Sequence, residues 1–201
     1  MTGGRPRQFD ADLALEQAMD VFWRKGYEGA TLPDLTAAMG INRPSLYAAF
    51  GNKEELFRKA VDKYLSGPAG HLAQALQLPT AREVVAAILK GGLHLVADSS
   101  SPRGCMIVQS ALVCGDAADP LKQELAARRL SFQQAIEHRF TQALSQGDLP
   151  ENSDPAALAR YVCALSYGLS ILAAGGATCE DLQSVIGIAL ETWPVGVRFE
   201  V

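Results

Sequence analysis

The sequence predicts an all-α fold in which three short helices are followed by a longer helical bundle. Nearly every segment carries apolar residues at helical spacing, and no stretch alternates in the manner of a half-buried strand. Short linkers rich in Gly, Pro, Asp and Ser separate the segments, and residues that cap helices stand at several of their starts. These observations favour helices packed on helices around a common core.

The first two helices are bounded by recognisable start and stop residues. Asp10 can cap a helix that runs to about Lys25 and ends at Gly26. Thr31 can cap a second, short helix with the sequence PDLTAAM, which Gly40 ends. We therefore expect a long helix and then a short one at the start of the chain.

The next two helices follow each other with almost no linker. The third runs from about Pro44 to Phe50, and Asn52 then caps a longer fourth helix with the sequence KEELFRKAVDKYL. Two glutamates in its first turn suit the positive end of the helix dipole. Gly67 and Pro68 should kink or interrupt this helix, because proline lacks a backbone N–H and clashes with the preceding turn.

Five further helices are predicted downstream of this break. Asp154 and Thr178 can cap the last two of them. The predicted ranges are about 80–97, 104–114, 120–146, 155–174 and 179–193. Together they are long enough to build a bundle with a core of its own.

Composition and charge exclude several classes of protein. The 201 residues are 48% hydrophobic, which allows a sizeable core, and the net charge of −4 argues against a nucleic-acid coat or a membrane-surface protein. The first ten residues, MTGGRPRQFD, lack the apolar segment of a signal peptide. No apolar run reaches the roughly 18 residues of a spanning helix, since three glycines interrupt the longest one, residues 161–177.

The four cysteines do not have the spacing of metal ligands. Cys105 and Cys114 are nine residues apart, and no histidine stands at a useful distance from either. We therefore expect no metal and no other cofactor. The composition favours a cytoplasmic protein whose thiols are reduced.

The stretch INRPSLYAAFGNKEELF carries the main functional signal. A tight turn at Gly40, Ile41 and Asn42 separates helices two and three, which together have the form of a helix-turn-helix. In such a motif the second helix enters the DNA major groove by its N-terminal end. Helix three is therefore predicted to be a recognition helix.

The start of helix three suits contact with DNA. Arg43 and Ser45 lie where base edges would be reached, and Pro44 begins the helix without wasting an N–H donor. Asn42 can cap the helix or contact a phosphate. Tyr47 can donate to a phosphate, although an aromatic residue at this position could also belong to the core.

Other residues of this region fit the same arrangement. Ala48 and Ala49 keep the helix slim, and an alanine methyl can touch thymine. Leu46 and Phe50, four residues apart, should point into the core. Lys53 stands at the start of helix four, where it suits a phosphate, and the alternative is an ordinary solvated lysine.

The N-terminal arm adds two positive charges. Arg5 and Arg7 could follow the phosphate backbone or enter a minor groove, and the alternative is an ordinary disordered terminus. Residues 1–65 carry nine basic and nine acidic side chains, so any positive face has to be local. Arg43 and Lys53 would supply it together with the arm.

The stretch TLPDLTAAMGINRPSLYAAFGNKEELF resembles the DNA-binding domain of the TetR family of bacterial repressors. The family pattern has a Thr before helix two, a Gly in the turn, a Tyr and a further aromatic in helix three, and Lys-Glu-x-Leu in helix four. The residues that match are Thr31, Gly40, Tyr47, Phe50, Lys53, Glu54 and Leu56. FWRKGYEGAT resembles the end of the family's helix one. The resemblance covers about residues 8–64, and it adds Thr31 to the candidates for DNA contact.

The resemblance implies a transcriptional repressor that binds a palindromic operator as a homodimer. It also implies a C-terminal bundle that binds a small effector and thereby lowers DNA affinity. The chain then divides into a basic arm, 1–7, a DNA-binding domain, 8–64, and an effector-binding and dimerisation domain, 65–201. The last two helices are rich in small residues and would form the dimer interface, with ordinary packing within the chain as the alternative.

Six residues are candidates for lining an effector pocket. They are His71, His94, Cys105, Met106, Gln109 and Tyr167. Each has a simpler explanation, because lone histidines and small thiols are often core or surface residues. Tyr167, with Tyr161 and Cys163, could instead belong to the core or to the dimer face.

Two other functions remain open at this point. Cys105 stands near Arg103 at a helix N-terminus, so the protein could be a DNA-binding regulator that senses oxidants through this thiol. An all-α enzyme is the second alternative. The sequence has no paired His and Asp near a nucleophile, no Gly-rich phosphate loop and no metal cluster, which disfavours it.

Overall fold

The computed structural model describes residues 9–93, 102–112 and 119–193, and these residues form ten helices and no strand. The first four helices are α1 (Ala11–Gly29), α2 (Leu32–Met39), α3 (Arg43–Phe50) and α4 (Lys53–Ser66). The other six are α5 (His71–Ala75), α6 (Ala81–Gly91), α7 (Met106–Leu112), α8 (Asp119–Ser145), α9 (Pro155–Ala174) and α10 (Cys179–Glu191). The predicted all-α class is confirmed.

Helices begin at the capping residues that the sequence indicated. First-turn N–H groups donate to the side chains of Asp10, Thr31, Asn42, Asn52, Asp154 and Thr178. These caps satisfy donors that a helix leaves without an internal partner, which is why short polar residues specify its start. The six predicted starts are therefore confirmed.

Two glycines shape the first helices through backbone angles that other residues avoid. Gly40 has φ of 63° and ends α2 in the left-handed region, as predicted. Gly26 has φ of 69° and ψ of 176°, and it kinks α1 rather than ending it. The helix resumes for a short stretch to Gly29, so the predicted end at Gly26 is instead an internal break.

The chain turns after α4, where Gly67 and Pro68 were expected to interrupt the helix. α4 ends at Ser66, and the Gly67 N–H donates to the Lys63 carbonyl at 2.9 Å. The short α5 that follows was not predicted, because five residues are too few to show a helical period. α6 was expected to reach about residue 97, but it ends at Gly91 and residues 92–93 form a turn, since two adjacent glycines weaken a helix. The predicted end of α7 at residue 114 lies outside the described residues.

α9 corrects one expectation drawn from the sequence. Gly168 lies inside a continuous helix of 20 residues and does not interrupt it, since an internal glycine costs only about 1 kcal/mol and packing of Leu169 and Ala173 offsets this cost. The mean hydropathy over 18 residues is 1.5, so length and composition alone would allow this helix to cross a membrane, as they do for many core helices. α9 packs against α6, α7, α8 and α10.

The helices enclose two hydrophobic cores. The first lies between α1, α2, α3 and α4, and it also takes Met106 and Ile107 from α7 and Leu121 and Leu125 from α8. The second lies mainly between α6, α8, α9 and α10. Because α8 contributes to both cores, packing connects the first four helices to the rest of the protein.

Candidate DNA interface and effector cavity

α3 presents one buried face and one exposed face. Leu46 is fully buried and Phe50 is 5% exposed, and both belong to the first core, as predicted from their spacing. Tyr47 is 48% exposed, which excludes the alternative that it is a core residue. The exposed candidates around it are Asn42, Arg43, Pro44, Ala48 and Ala49, and Ser45 is half-buried. The helix therefore offers a slim polar face to a partner.

Backbone and side-chain hydrogen bonds shape the turn before α3. The Ile41 N–H donates to the Thr36 carbonyl at 3.2 Å, which closes the chain back onto α2. Asn42 Oδ1 accepts from the Ser45 N–H at 2.9 Å and caps α3. Its oxygen is thus engaged in the cap, and its NH₂ group is the part that remains for a phosphate.

Thr31 is tied into the capping box at the start of α2. Its hydroxyl and its backbone N–H both donate to Asp34 Oδ2, at 2.8 Å and 3.1 Å. The Lys25 amine lies 2.8 Å from Asp34 Oδ1. Hydrogen bonds from Lys25 and Thr31 lower the pKa of the Asp34 carboxyl to about 2. The Thr31 hydroxyl therefore serves the helix start in the free protein, and it would have to turn away from Asp34 to donate to DNA.

Lys53 is held beside an aromatic ring. Its Nζ atom lies 4.5 Å from the centre of the Tyr27 ring, a distance typical of a cation–π contact. Burial lowers the pKa of the Lys53 amine, and the nearby Glu28 carboxylate opposes this effect. Lys53 is thus a half-buried cation at a helix N-terminus rather than a freely solvated lysine, and a phosphate would favour its charged form.

Most other basic side chains of the first four helices are engaged within the protein. Lys25 pairs with Asp34, Lys63 lies 2.7 Å from an Asp12 carboxylate oxygen, and Lys59 donates to a backbone carbonyl. Arg43 is exposed and has no ion pair within the described part of the chain. The positive charge available to DNA near α3 therefore comes from Arg43 and Lys53.

A cavity of about 480 Å³ lies where α4, α5, α7, α8 and α9 meet, and it is called the effector cavity after the role proposed for it below. Its wall is largely apolar and includes Leu65, Leu72, Leu76, Ile107, Val108 and Phe132. This volume falls within the roughly 300–1,000 Å³ of small-molecule sites. α4 lines the effector cavity near its C-terminal end and follows α3 at its N-terminal end, so one helix joins both sites.

Two tyrosine hydroxyls give the effector cavity polar groups. Burial raises the pKa of Tyr64 well above its usual value, and the nearby Cys105 adds to this. Burial likewise raises the pKa of Tyr167, with Cys163 contributing. Both hydroxyls therefore stay protonated at neutral pH. That of Tyr64 is hydrogen-bonded to Cys105 and to the Met106 backbone, and that of Tyr167 to Cys163.

Four of the predicted pocket residues lie in α7, in α9 or beside them. Cys105 and Tyr167 line the effector cavity. Met106 is fully buried in the first core and is not part of the cavity wall. Gln109 Nε2 donates to the Arg103 carbonyl at 2.6 Å, so it holds the preceding loop. Of these four residues, only Cys105 and Tyr167 could touch a ligand in the cavity.

Of the two histidines predicted to line a pocket, only His71 lies within the described residues. The His71 ring packs so closely on Gly91 of α6 that no Cβ could stand there, and its Nδ1 lies 3.2 Å from the Pro68 carbonyl oxygen. These contacts explain His71 by packing, and it does not line the effector cavity. His94 lies outside the described residues, as do the arm residues Arg5 and Arg7.

Tyr64 and Arg129 line the effector cavity but were not predicted. Tyr64 falls on the apolar stripe of helix four, where its spacing looks like that of any core residue. Arg129 stands in a polar helix that shows no clear apolar face in the sequence. Only the packing of α7 and α9 over these helices reveals that both side chains meet a cavity.

A chain of contacts joins the effector cavity to α1. Tyr64 packs edge-on against Trp23, with ring centres 4.8 Å apart. Trp23 Nε1 donates to the Gly104 carbonyl at 2.9 Å in a buried setting. The next residue is Cys105, whose N–H donates to Ser170 Oγ at 2.7 Å. The loop before α7 is therefore bonded to α1 on one side and to α9 on the other.

α9 and α10 carry several large apolar side chains on the surface. They are Tyr161, Ile171, Leu172 and Ile188, and Ile188 is 65% exposed. Gly168 in α9 and Gly187 in α10 have open space where a Cβ would stand. A surface that combines exposed apolar groups with small residues allows another helix pair to approach closely.

Comparison with known proteins matches both parts of the chain. Residues 14–60 match the family described as "Bacterial regulatory proteins, tetR family". Residues 79–174 match "Tetracyclin repressor-like, C-terminal domain". The HTH-type transcriptional repressor ComR of Escherichia coli (strain K12) is 34% identical, and the alignment covers 97% of this chain and 94% of ComR. YezE of Bacillus subtilis (strain 168), an HTH-type transcriptional regulator, is 32% identical over 93% of this chain and 97% of its own.

Solved structures give the same result. A cysteine mutant of the TetR family transcriptional regulator CifR, complexed with 26bp double-strand operator DNA, is 40% identical with a TM-score of 0.89. The match covers 94% of this chain and 100% of that one. A TetR transcriptional regulator from Rhodococcus sp. RHA1 is 43% identical with a TM-score of 0.61, over 92% of this chain and 100% of its own.

Proposed function

The chain belongs to the TetR family of bacterial regulatory proteins, and we propose that it represses transcription by binding a palindromic operator as a homodimer until a small effector releases it. The family regulates transcription, so the alternative of an all-α enzyme is dropped. The DNA it acts on lies in the bacterial cytoplasm, which is the proposed location. We keep the proposed division into an arm, 1–7, a DNA-binding domain, 8–64, and an effector-binding and dimerisation domain, 65–201.

The exposed face of α3 is the observation that carries the proposal. Arg43, Tyr47 and the two alanines after it stand clear of the core, while Leu46 and Phe50 fix the helix to its neighbours. One of the similar solved structures is complexed with operator DNA, which supports DNA binding by this chain. Direct readout by a major-groove helix needs this combination of an anchored helix and free polar side chains.

A homodimer fits the symmetry of such recognition. Two recognition helices that enter successive major grooves read a site with twofold symmetry. The exposed apolar surface of α9 and α10 supports their role as the interface, because such a surface is costly to leave in water. The proposed dimer therefore pairs α9 and α10 of one protomer with the same helices of its partner.

Release by an effector fits the position of the effector cavity. A ligand there would touch α4, which leads directly back to α3. The ligand shifts the equilibrium only if it binds the DNA-competent and DNA-incompetent arrangements with different affinity. A coupling of about 1–3 kcal/mol would lower operator affinity by 5–150-fold.

The test begins with the operator, which can be selected from random duplex DNA by the purified full chain. We expect the enriched sequence to be palindromic and to reduce transcription of a reporter when the protein is expressed. Arg43→Ala combined with Tyr47→Ala should weaken binding at least about tenfold. Lys90→Ala, which removes an exposed charge from α6, should leave binding unchanged. Failure to enrich any sequence, or equal binding by the double variant, would contradict the proposal.

A further inference from the structure

Arg129 is an unusual side chain in the wall of the effector cavity. Its Nη1 atom is buried and has no hydrogen-bond partner among the described residues. The neighbouring Arg128 also lines the cavity, but its Nη1 lies 2.7 Å from Asp62 Oδ1 and its Nη2 lies 3.1 Å from Glu124 Oε1. The protein thus pairs one arginine with carboxylates and leaves one buried N–H group of the other without an acceptor among the described residues.

The effector cavity offers no negative charge to offset Arg129. No aspartate or glutamate lines it within the described residues, since Asp62 and Glu124 pair with Arg128 outside its wall. Arg129 is half-buried and has no carboxylate partner among the described residues, so an anion bound in the cavity would be attracted by its guanidinium. The interior of the cavity is therefore electrostatically suited to an anion.

Hydroxyl groups close to Arg129 strengthen this preference. Tyr167 lies near enough for the Arg129 charge to act on its hydroxyl, and Ser166 stands beside it in the wall. Burial keeps the Tyr167 hydroxyl protonated, and a ligand oxygen would replace Cys163, its hydrogen-bond partner in the ligand-free protein. A guanidinium together with a hydroxyl donor is well matched to the two oxygens of a carboxylate.

The rest of the cavity wall is apolar and suits an apolar part of the ligand. Leu65, Leu72, Leu76 and Phe132 surround the cavity with apolar surface. A hydrocarbon group placed against them would be removed from water, which is the main source of affinity in such sites. A ligand that satisfies the whole cavity therefore has an anionic head and an apolar body.

We propose that the effector is an amphipathic carboxylate, with its head bound by Arg129 and Tyr167 and its hydrocarbon part against the apolar wall. This inference rests on the proposed function only in taking the cavity as the effector site. An uncharged ligand would leave the Arg129 guanidinium without an anionic partner, and a cationic ligand would be repelled by it.

Head-group preference can be measured on the full chain without DNA. Isothermal titration at pH 7 would compare decanoate with decan-1-ol and decylamine, which share the hydrocarbon chain and differ in charge. We expect decanoate to bind about tenfold tighter than decan-1-ol or better, and decylamine to bind most weakly. Arg129→Gln should abolish the preference, Arg129→Lys should keep part of it, and Lys90→Gln, which removes a surface charge, should not change it.

Several outcomes would overturn the proposal. They are equal or tighter binding of decan-1-ol, no binding of any of the three probes, and a preference that survives Arg129→Gln. Arg129→Gln removes a buried N–H group that has no acceptor among the described residues, so the melting temperature of the ligand-free variant should not fall. A large fall would show that the guanidinium has a structural partner, and it would also count against the proposal.

Release of operator DNA is measured in a separate experiment, so that the proposed ligand class and the proposed release by an effector are tested independently. In one outcome, decanoate binds with the expected preference and yet leaves operator affinity unchanged. That result would contradict release by this ligand, but it would still support a carboxylate as the ligand of the cavity. An operator that is bound normally, with no head-group preference in the cavity, would contradict the ligand class alone.

Discussion

Arg43 and Tyr47 share the exposed face of α3, but their chemistry suits them to different parts of DNA. Arg43 carries a planar guanidinium that can pair with two acceptors of a guanine edge at once. Tyr47 carries a single hydroxyl on a rigid ring, which suits one phosphate oxygen. Single substitutions should therefore separate sequence reading from backbone contact.

Tyr47→Phe should weaken binding to all DNA sequences by a similar factor. The loss of one hydroxyl bond to phosphate costs around 1 kcal/mol for each half-site, and it carries no sequence information. Fluorescence anisotropy on operator and random duplexes would measure it. Lys90→Ala, on α6 and outside both α3 and the proposed dimer surface, is the control and should change nothing. A change of preference at one base pair would mean that Tyr47 reads sequence.

Arg43→Ala should instead reduce discrimination between operators. We expect a loss of about 1–3 kcal/mol at one position in each half-site, with a smaller change on nonspecific DNA. The measurement is affinity for a set of operators that each differ at one base pair. A uniform loss, with a shallower dependence on salt, would make Arg43 a phosphate contact.

Asp34 should make the stability of the protein sensitive to acid. Hydrogen bonds from Lys25 and Thr31 hold its pKa at about 2, below the ordinary 3.8, so this stabilisation is present above pH 4 and is lost as pH falls toward 2. Lys25→Met should move the pKa of Asp34 back toward 3.8 in a titration followed by NMR. The same substitution should leave Asp181 unchanged, because the pKa of that carboxyl is lowered by Thr178 alone.

Some helices are connected by hydrogen bonds between residues that are far apart in the chain. Trp23 Nε1 in α1 donates to the Gly104 carbonyl before α7, and both groups are buried. Trp193 Nε1, near the end of the second core, is also buried but has no partner among the described residues. Substitutions at these two tryptophans can be compared to measure how much the hydrogen bond between α1 and the loop before α7 contributes to the free energy of unfolding.

Trp23→Phe should destabilise the protein more than Trp193→Phe does. Both changes remove a similar volume, but only the first leaves the Gly104 carbonyl without its donor, which costs a further 1–3 kcal/mol or so. Urea unfolding of both variants would give the difference in free energy. Equal decreases in the free energy of unfolding would mean that the hydrogen bond between Trp23 and Gly104 contributes little to stability.

For the complete protein, the exposed surface of α9 and α10 determines the assembly that we propose. Ile188→Glu should raise the dissociation constant of the dimer by about a hundredfold or more. Each buried isoleucine contributes about 1.5–3 kcal/mol, and the twofold axis counts it twice. Sedimentation would measure the change.

A matched control tests whether any exposed apolar residue would behave in this way. Leu130 on α8 is 52% exposed but lies on another helix, so Leu130→Glu should leave the dimer intact. If both variants remain dimeric, the interface lies elsewhere. Monomers that still bind a palindromic operator with full affinity would contradict the need for a dimer.

Local chemistry by itself determined the helix starts and the exposed face of α3. Caps such as Thr31 and Asn52 act within one helical turn, so their effect can be predicted from neighbouring residues. The spacing of Leu46 and Phe50 likewise placed Tyr47 on the outside. Gly168 was misjudged because its cost is small compared with the packing of the helix around it.

Only the tertiary structure decided where the effector cavity lies and which side chains line it. Tyr64 and Arg129 come from two helices far apart in the chain, and each looks like an ordinary core or surface residue in its own segment, whereas Tyr167 was already a candidate. Arg128 pairs with Asp62 and Glu124, whereas Nη1 of the adjacent Arg129 has no hydrogen-bond partner among the described residues. A sequence specifies which face of a helix is apolar, but a cavity arises where several such faces fail to meet, and that depends on how all of them pack together.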